Sequence, residues 1–239
     1  ETPVTVRHEP LLMIMDGHAM VHRSFRAIST QRHLTVNATG EDVTGVFGFT
    51  NVFLRALQEW NPAYCAIALD TSAPTFRHKQ FEAYKAQREA TPEELRPQFG
   101  RVKQLMESFG VPVYELEGWE ADDVIGTLSA QAEKMGLDSV ILTGDRDTFQ
   151  LISPKVKVDL ASSIQDRKVY DETELQNRYS GLTAAQQTDF KALLGDTSDN
   201  IPGVPKVGEK TAIALLNEYQ NLEGIYEHLE EVTRPSVKQ

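Results

Sequence analysis

The acidic stretch Gly118-Trp119-Glu120-Ala121-Asp122-Asp123 is the feature around which the rest of this chain is organised. Its three carboxylates lie within four residues, so each raises the pKa of its neighbours. Glu120 and Asp123 are three positions apart, and a helix would present both on one face. Acidic side chains also favour the first turn of a helix. The stretch alone therefore leaves two interpretations open, a solvated helix start and part of a cation site.

Further acids stand at the ends of short apolar runs. The runs and their acids are Leu11–Met15 with Asp16, Tyr64–Leu69 with Asp70, and Ser139–Leu142 with Asp145 and Asp147. Continuous apolar runs of this length predict strands that are buried on both faces. The carboxyl ends of parallel strands lie along one edge of a sheet, where α/β proteins form their sites. We therefore predict an α/β fold with a central, mostly parallel sheet flanked by helices.

Helical patterns separate and follow these strands. They predict helices over residues 46–60, 102–109, 124–135 and 184–194, and short further strands over 111–114, 156–160 and 168–170. In the first of these helices, the apolar residues spaced for one buried face are Phe47, Phe53, Leu54 and Leu57. The last helix leads into two more acids, Asp196 and Asp199, which are three positions apart.

Residues 71–100 interrupt this α/β pattern and are locally basic. Between positions 76 and 103 there are seven Arg and Lys residues against four acids, in a chain whose net charge is −11. Residues 75–88 have helical spacing but too little apolar content for a core helix, and this spacing places Phe81, Tyr84, Lys85 and Arg88 on one face. Two interpretations remain, a solvated surface helix and a basic lid whose rings contact bases and whose cations contact phosphates.

A turn bracketed by Gly203 and Gly208 separates two helical segments near the end of the chain. It places backbone N–H groups at a helix start, beside Lys206 and Lys210, which suits contact with a phosphate backbone without base readout. The turn follows a helix and lacks the ending of a nucleotide phosphate loop, which argues against that alternative. The candidate DNA-binding residues are Gly203, Val204, Lys206, Val207, Gly208, Lys210 and Thr211.

Composition narrows the class of protein. The single cysteine, Cys65, lies in an apolar run and excludes an internal disulfide and a cysteine zinc site. No apolar run approaches the length of a membrane span, so we expect a cytoplasmic protein without a membrane contact. A net charge of −11 argues against coating nucleic acid through bulk charge, but it permits binding through local basic patches.

Together the acids predict a metal-dependent phosphodiesterase that acts on nucleic acid. Carboxylates in this number suit Mg²⁺ or Mn²⁺. Two such ions roughly 3.5–4 Å apart stabilise both oxygens of an in-line phosphoryl displacement. The basic lid and the glycine turn supply the attraction for a polyanion that the acids lack. The candidate metal ligands are Asp16, Asp70, Glu120, Asp122, Asp123, Asp145, Asp147, Asp196 and Asp199.

Four of these motifs resemble the 5′-nuclease (flap endonuclease) family, most closely the 5′→3′ exonuclease domains of bacterial DNA polymerases. They are Trp119-Glu120-Ala121-Asp122-Asp123, Thr143-Gly144-Asp145-Arg146-Asp147, Gly195-Asp196-x-x-Asp199-Asn200 and the turn over residues 203–208. The resemblance extends from about Leu11 to the end of the chain.

The resemblance implies a PIN-like α/β core over residues 1–180, with a helical arch at about 71–100. It implies that residues 181–239 form a helical region whose helix–hairpin–helix (helix–three-turn–helix) motif holds duplex DNA, often with a K⁺ ion. The implied activity is structure-selective hydrolysis of DNA at 5′ flaps, nicks and 5′ ends. It leaves a 5′-phosphate and serves primer removal and repair. The implied enzyme uses two or more Mg²⁺ or Mn²⁺ ions and is a monomer in the bacterial cytoplasm, working at the nucleoid, either alone or joined to a polymerase domain.

The resemblance also assigns roles to individual residues. It places Asp16, Asp70, Glu120, Asp122 and Asp123 at the first metal, and it places Asp145, Asp147, Asp196 and Asp199 at a second, more loosely held one. Lys85 and Arg88 match arch cations that contact the scissile phosphate. Tyr84 matches a residue that stacks on the substrate, and Arg23 matches a phosphate contact.

Other function classes were weighed against this one. A DNA module that binds junctions without cutting them is disfavoured by the complete set of acids. A haloacid-dehalogenase-like phosphatase requires an acid two residues after Asp16, where this chain has His18. A PIN-like ribonuclease remains an alternative, although a turn that grips duplex favours DNA.

Overall fold

Six strands form the central sheet of this protein, whose computed structural model describes residues 10–161 and 167–232. The strands are β1 (Leu11–Asp16), β2 (Tyr64–Ala68), β3 (Val113–Tyr114), β4 (Asp138–Thr143), β5 (Val156–Ala161) and β6 (Arg167–Tyr170). Their order across the sheet is β3-β2-β1-β4-β5-β6. The first five are parallel, and β6 is antiparallel at the edge. The predicted mostly parallel sheet is confirmed.

Helices cover both faces of the sheet. In chain order they are α1 (Gly17–Ser29), α2 (Thr44–Trp60), α3 (Phe76–Gln80), α4 (Arg96–Ser108), α5 (Ala121–Lys134), α6 (Glu172–Arg178), α7 (Gln187–Leu194), α8 (Glu209–Tyr219) and α9 (Leu222–Glu227). Short 3₁₀ segments, Arg146–Leu151 and Ala184–Gln186, lie between them. The end of the helical region predicted over residues 181–239, namely 233–239, lies outside the described residues.

The central strand β1 separates the two faces by simple alternation of its side chains. Met13 and Met15 have no exposed surface and pack with residues of α1, α2 and α4. Ile14, also unexposed, faces the opposite way and packs with residues of α5 and of the C-terminal helices. Burial of each such side chain stabilises the fold by roughly 1.5–3 kcal/mol. β1 is therefore the buried strand that its continuous apolar run predicts.

The strand order places the predicted crevice beside β1. The chain runs from β1 outward to β2 and β3, then returns to β4 on the other side of β1. The loops that follow β1 and β4 consequently leave the sheet in opposite directions and open a cleft between them. The acids that follow the parallel strands lie at this edge.

The step from β1 into α1 is very tight. A Cβ atom at Gly17 would lie 2.4 Å from Leu69 Cδ2 and 3.0 Å from the carbonyl oxygen of Ala68. Only a glycine lets α1 begin this close to the end of β2, which keeps Asp16 near the β2 end of the sheet.

The buried face of α2 differs from the prediction. Its unexposed or nearly unexposed residues are Phe49, Val52, Phe53 and Ala56, whereas Phe47 is 51% exposed and Leu54 is 40% exposed. Phe53 is on the predicted face, but Phe47 and Leu54 are not buried. Several apolar residues surround this helix, so spacing alone allows more than one face, and packing against α1 and α4 selects one.

The helical spacing of residues 75–88 does not give a continuous helix. Only Phe76–Gln80 is helical there, and residues 82–87 form turns. Lys85 has a φ angle of +56°, which an α-helix cannot contain. Contacts of this segment with distant acids, described below, override its helical spacing. We refer to residues 81–95 as the lid.

The C-terminal helices share the hydrophobic core of one sheet face. Leu193, Leu215 and Leu216 belong to the same buried cluster as Ile14 and Ile141 of the sheet. A two-residue hairpin, β7 (Gly195–Asp196) with β8 (Ile201–Pro202), stands between α7 and α8. The division into two domains at residues 180 and 181 stays a prediction. Within the described residues, no helix is both long enough and apolar enough to cross a membrane.

Candidate functional site

Six acids line one cavity of about 660 Å³ at the carboxyl edge of the sheet. One is Glu89 of the lid, and we call the other five the deep acid group: Asp16, Asp70, Glu120, Asp122 and Asp145. They come from the end of β1, the loop after β2, the start of α5 and the loop after β4. The predicted convergence of acids from separate strands is observed for these five.

Asp16 lies at the back of this cavity and is 4% exposed. Its Oδ1 accepts a hydrogen bond from the Ala19 N–H at 3.0 Å, which caps α1. Its Oδ2 accepts one from Thr143 Oγ1 at 2.7 Å. Burial raises the pKa of Asp16 to about 6 despite these bonds, and the charges of Asp70 and Asp145 add to the rise.

Asp122 faces the same cavity from the first turn of α5. Burial raises its pKa well above the ordinary value, and the charges of Asp16, Asp145 and Asp70 raise it further. The neighbouring helix start is fixed by Asp70, whose Oδ1 accepts a hydrogen bond from the Ala121 N–H at 2.7 Å. These carboxylates repel one another, so a positive charge in the cavity would stabilise their ionised forms.

Glu120 connects the deep acid group to the lid. Its Oε1 accepts a hydrogen bond from Lys85 Nζ at 2.8 Å, and its Oε2 accepts one from the Tyr84 hydroxyl at 3.0 Å. Arg77 Nη1 lies 3.7 Å from Glu120 Oε2. The predicted proximity of Lys85 to the acids is therefore observed.

Three other acids form a separate group that we call the outer acid group: Asp147, Asp196 and Asp199. One carboxylate oxygen from each lies within 4.8 Å of the others, a spacing that could hold a metal ion. Asp196 and Asp199 belong to the β7–β8 hairpin and its loop, and Asp147 belongs to the 3₁₀ segment after β4. This group borders a second cavity, of about 590 Å³.

Lys191 supplies a positive charge to the outer acid group. Its Nζ lies 2.6 Å from Asp147 Oδ1 and 2.8 Å from Asp196 Oδ2. Burial alone would raise the pKa of Asp196, but hydrogen bonds from Lys191 and Ser198 lower it to about 2. Asp147 differs, because burial and the nearby charge of Asp145 raise its pKa despite the contact with Lys191.

The lid ties the two acid groups together through Tyr84. The Tyr84 hydroxyl donates to Asp199 Oδ2 as well as to Glu120 Oε2, at 3.0 Å in both cases. Burial raises the pKa of Tyr84, as do the charges of Glu120 and Asp199, so the hydroxyl keeps its proton. Arg88 Nη2 contacts Asp199 Oδ1 at 2.6 Å.

Tyr84 is 6% exposed and lines the cavity of the outer acid group. That it stacks on a substrate stays a prediction. A resemblance in sequence identifies Tyr84 but does not show that its hydroxyl donates to two carboxylates.

Asp123 is the candidate ligand that the structure separates from both groups. Its carboxylate makes a two-point ion pair with Arg77, with N–O distances of 2.7 and 2.8 Å, and it also caps the Glu120 N–H. Burial would raise the pKa of Asp123, but these hydrogen bonds hold it below the ordinary value. Asp122 and Asp123 point in different directions, and only Asp122 faces the deep cavity.

Arg23 lies beside both acid groups. It donates to the carbonyl oxygen of Gly144 at 3.4 Å, and it lines a smaller cavity, of about 320 Å³, together with Asp145, Asp147 and Lys191. The structure thus places this predicted phosphate contact at the edge of the site.

The glycine turn lies next to the outer acid group. A Cβ atom at Gly203 would be 2.2 Å from the backbone of Leu194, so the turn packs directly against the end of α7. Val204 N–H donates to Leu193 O at 2.9 Å, and Val207 is buried. Gly208 precedes α8, which Lys210 and Thr211 continue, and Lys206 is exposed. The backbone donors at the start of α8 thus face outward beside exposed lysines.

Three important residues were missed by the sequence reasoning: Thr143, Arg77 and Lys191. Thr143 follows an apolar run directly, so its position at a strand end was a usable signal. Arg77 and Lys191 become visible only through their partners, since neither lies next to an acid in the sequence.

Within the described residues, the donor atoms of both acid groups are carboxylate oxygens. Such sets fit hard divalent cations, which prefer oxygen ligands. Burial raises the pKa of Asp16 to about 6, and a cation in the cavity would stabilise its charged form. The deep acid group would hold one ion and the outer acid group could hold a second.

Two family models match the chain. The model described as 5′-3′ exonuclease, N-terminal resolvase-like domain, matches residues 11–180, and the model described as 5′-3′ exonuclease, C-terminal SAM fold, matches residues 182–239.

Curated relatives and solved structures agree with these matches. The chain is 45% identical over 224 residues to DNA polymerase I of Chloroflexus aurantiacus, which covers 92% of this chain and 24% of that protein. It is 41% identical over 239 residues to the thermostable DNA polymerase I of Thermus filiformis, which covers 99% of this chain and 27% of that protein. The chain thus spans about a quarter of the length of these relatives.

The structural neighbours share the fold at low sequence identity. T5 5′-exonuclease with bound zinc ions has a TM-score of 0.71 at 22% identity, covering 94% of this chain and 80% of that one. The catalytic core of Rad2 in complex with a DNA substrate has a TM-score of 0.61 at 17% identity, covering 93% and 66%.

Proposed function

We propose that this chain, which belongs to the 5′-3′ exonuclease family, is a structure-selective 5′ nuclease. In this proposal it hydrolyses DNA phosphodiester bonds at 5′ flaps, nicks and 5′ ends and leaves a 5′-phosphate. Its relatives are DNA polymerases about four times its length, and we propose that it is the exonuclease part of such a polymerase. Primer removal and repair at the bacterial nucleoid would be its setting.

One observation carries the proposal. The five carboxylates of the deep acid group come from four separate segments of the chain and meet at one cavity, which Lys85, Arg88 and Glu89 of the lid also line. A purely structural role would not require so many uncompensated charges in one cleft, since each raises the cost of ionising the others. A site for a cation and a phosphodiester explains both the acids and the neighbouring Lys85 and Arg88.

The deep acid group is the proposed site of the first Mg²⁺ or Mn²⁺ ion, and the outer acid group that of a second, more loosely held one. Ions held there would lower the pKa of a bound water and neutralise charge on the phosphoryl oxygens. Asp123 orients Arg77 and the start of α5, and we propose that it supports the site without facing the deep cavity. The glycine turn is the proposed site of a K⁺ ion.

The chain's own cations complete the site. Lys85 Nζ is 2.8 Å from Glu120, so it can donate to a phosphate oxygen in that cavity after a small side-chain movement. Arg88 lines the cavity beside it, and Arg23 lies at the neighbouring edge. The exposed lysines and backbone donors at the start of α8 hold duplex DNA through its phosphates. We propose that the nuclease works as a monomer.

A cleavage assay with defined substrates tests the proposal. We expect a 5′-flapped DNA duplex to be cut in Mg²⁺ and to remain intact, but bound, in excess EDTA. The same duplex with an RNA flap separates a 5′ nuclease that removes primers from a ribonuclease, which would cut only RNA. A chain that binds flapped DNA yet leaves it intact in both Mg²⁺ and Mn²⁺ would be a junction-binding module, and the proposal would fall.

A further inference from the structure

A lysine of the chain is in contact with the acids that could hold the second metal ion. Lys191 Nζ lies 2.6 Å from Asp147 Oδ1 and 2.8 Å from Asp196 Oδ2. One carboxylate oxygen from each of these two acids and one from Asp199 lie within 4.8 Å of one another. An ammonium and a divalent ion that contact the same carboxylates would be only a few ångströms apart and would repel each other. The two cations therefore compete for the same acids.

The outer acid group already has most of its counter-charge without a metal ion. Its three carboxylates are contacted by two cations of the chain, Lys191 and Arg88. Burial alone would raise the pKa of Asp196, but hydrogen bonds from Lys191 and Ser198 lower it to about 2, so this carboxylate is ionised in the metal-free protein. A divalent ion that enters the group therefore gains only the difference between its own attraction to the acids and that of Lys191.

The Lys191 side chain can leave the acids without a movement of the backbone. It extends from the middle of α7 and is 41% exposed. It lines two cavities, the one of about 590 Å³ beside the outer acid group and the one of about 320 Å³ beside Arg23. A lysine has a flexible four-carbon stem, so its ammonium can turn into either space. The contact with the acids is thus reversible.

Arg146 provides a comparison within the same two cavities. It lines both of them together with Lys191. Across residues 10–161 and 167–232, however, no carboxylate oxygen lies within 4.0 Å of the Arg146 guanidinium. Arg146 therefore acts on the outer acids only through its charge at a distance, whereas Lys191 is in direct contact with them.

We propose that Lys191 is a resident counter-ion of the outer acid group, that a divalent cation must displace it to bind there, and that this competition weakens the binding of the second ion. The inference rests on the proposed function, which assigns a second ion to this group. Lys191 thereby separates the metal affinities of the two acid groups. The deep group fills at a lower metal concentration, and the outer group fills only when the metal concentration is high enough to displace the lysine.

Metal binding to the DNA-free chain tests this inference independently of cleavage. Mn²⁺ is titrated into the protein, and the unbound ion is measured by electron paramagnetic resonance, which gives a dissociation constant for the tighter and for the weaker site. Lys191→Met removes the charge and keeps an unbranched side chain. In this variant the dissociation constant of the weaker site is expected to fall about five- to tenfold, while that of the tighter site changes by less than about twofold.

Two further variants identify the weaker site and control for charge. Asp196→Asn is expected to abolish the weaker site and to retain the tighter one. Arg146→Met removes a positive charge from the same two cavities and is expected to change the weaker dissociation constant by less than about twofold. Thermal unfolding of each variant checks that it is folded.

The inference would be overturned by a weaker dissociation constant that stays the same or rises in folded Lys191→Met. An equal fall in Arg146→Met, or a weaker site that persists in Asp196→Asn, would overturn it as well. Cleavage of a flapped duplex in Mg²⁺ is scored separately. A chain that binds Mn²⁺ as expected but never cuts DNA would overturn the nuclease proposal and leave the role of Lys191 standing.

Discussion

The deep and outer acid groups contain the same type of residue but differ in their counter-charge. Lys191 bridges two of the outer acids, and Arg88 contacts the third. In the deep group Lys85 contacts Glu120, but in the described part of the chain no lysine or arginine lies within 4.0 Å of Asp16, Asp122 or Asp145. Each outer acid thus has a cation of the protein beside it, whereas three of the deep acids have none among the described residues.

This difference shows which cluster depends on an added cation. Burial and neighbouring charges raise the pKa of Asp16 to about 6, whereas the partners of Asp196 bring its pKa to about 2. A divalent ion would gain more by entering the deep group, because there it does not have to displace a lysine. We therefore expect the deep group to bind metal more tightly, and four experiments test this difference.

Substitution of Asp122 is expected to have the largest effect. Asp122→Asn removes a carboxylate from the deep cavity while keeping its shape, so single-turnover cleavage of a flapped duplex in Mg²⁺ should fall by about a thousandfold or more. The adjacent Asp123→Asn is the matched control, and its loss should be about tenfold, since Asp123 pairs with Arg77. Equal losses for the two variants would show that the deep cavity does not define the metal site.

The stability of the metal-free protein should depend on pH in the window set by Asp16. Its folded pKa, about 6, is above its ordinary value of 3.8, so the folded protein holds a proton that the unfolded chain has already lost. The free energy of unfolding should therefore fall as pH rises from about 4 to about 6, by up to about 3 kcal/mol. Urea unfolding in EDTA measures this.

Two controls identify the groups responsible for this pH dependence. Asp16→Asn should reduce it, and Asp122→Asn should reduce it as well, because burial also raises the pKa of Asp122. Asp196 should not change the free energy of unfolding between pH 4 and 6. Its pKa is lowered to about 2, so its stabilising effect is complete above about pH 4 and is lost only as the pH falls toward 2. Stability that rises between pH 4 and 6 in EDTA would contradict the assignment.

The two lid cations should differ in their effect on rate. Lys85 reaches the deep group and Arg88 reaches the outer group, at 2.8 and 2.6 Å from their respective acids. Lys85→Ala is expected to slow the single-turnover step about a hundredfold with little change in the dissociation constant for the flapped duplex. Arg88→Ala should cause a smaller loss, about tenfold. A Lys85→Ala enzyme with an unchanged rate would exclude its role at the phosphate.

Loss of Lys191 should have the smallest effect. Its side chain is 41% exposed, and half-exposed ion pairs contribute little to stability. Lys191→Met should therefore lower the free energy of unfolding in EDTA by about 1 kcal/mol or less, as measured by thermal unfolding. Lys134→Met, an exposed residue of α5, is the control and should be neutral. If the free energy of unfolding fell by several kcal/mol, the ion pairs of Lys191 would have to be shielded from solvent.

The convergence of the deep acids could be predicted from the sequence because it follows from chain direction alone. Every parallel strand delivers its last residue to the same edge, so an acid at that position has a foreseeable place. The same reasoning does not apply to Asp123, which lies one residue from Asp122 yet pairs with Arg77. Which of two adjacent helical side chains faces a cavity depends on how the helix is rotated.

The lid shows where the spacing of residues in the sequence fails to predict the local structure. Residues 81–88 have helical periodicity, but hydrogen bonds from Tyr84 and Lys85 to acids at positions 120 and 199 hold the segment in turns. Such partners are more than thirty residues away in the chain, so no short window contains the information. The face of α2 was ambiguous for a related reason, since a helix with apolar residues on several sides is oriented by its neighbours.

The bond between Thr143 and Asp16 joins residues that are 127 positions apart, and this has a consequence for the newly made protein. At typical rates of synthesis, about 5–20 residues per second, β1 waits about 6 to 25 seconds on the ribosome before β4 exists to pair with it. Until then the acids after β1 and β4 cannot meet. The proposed metal site therefore forms only when the centre of the sheet has closed.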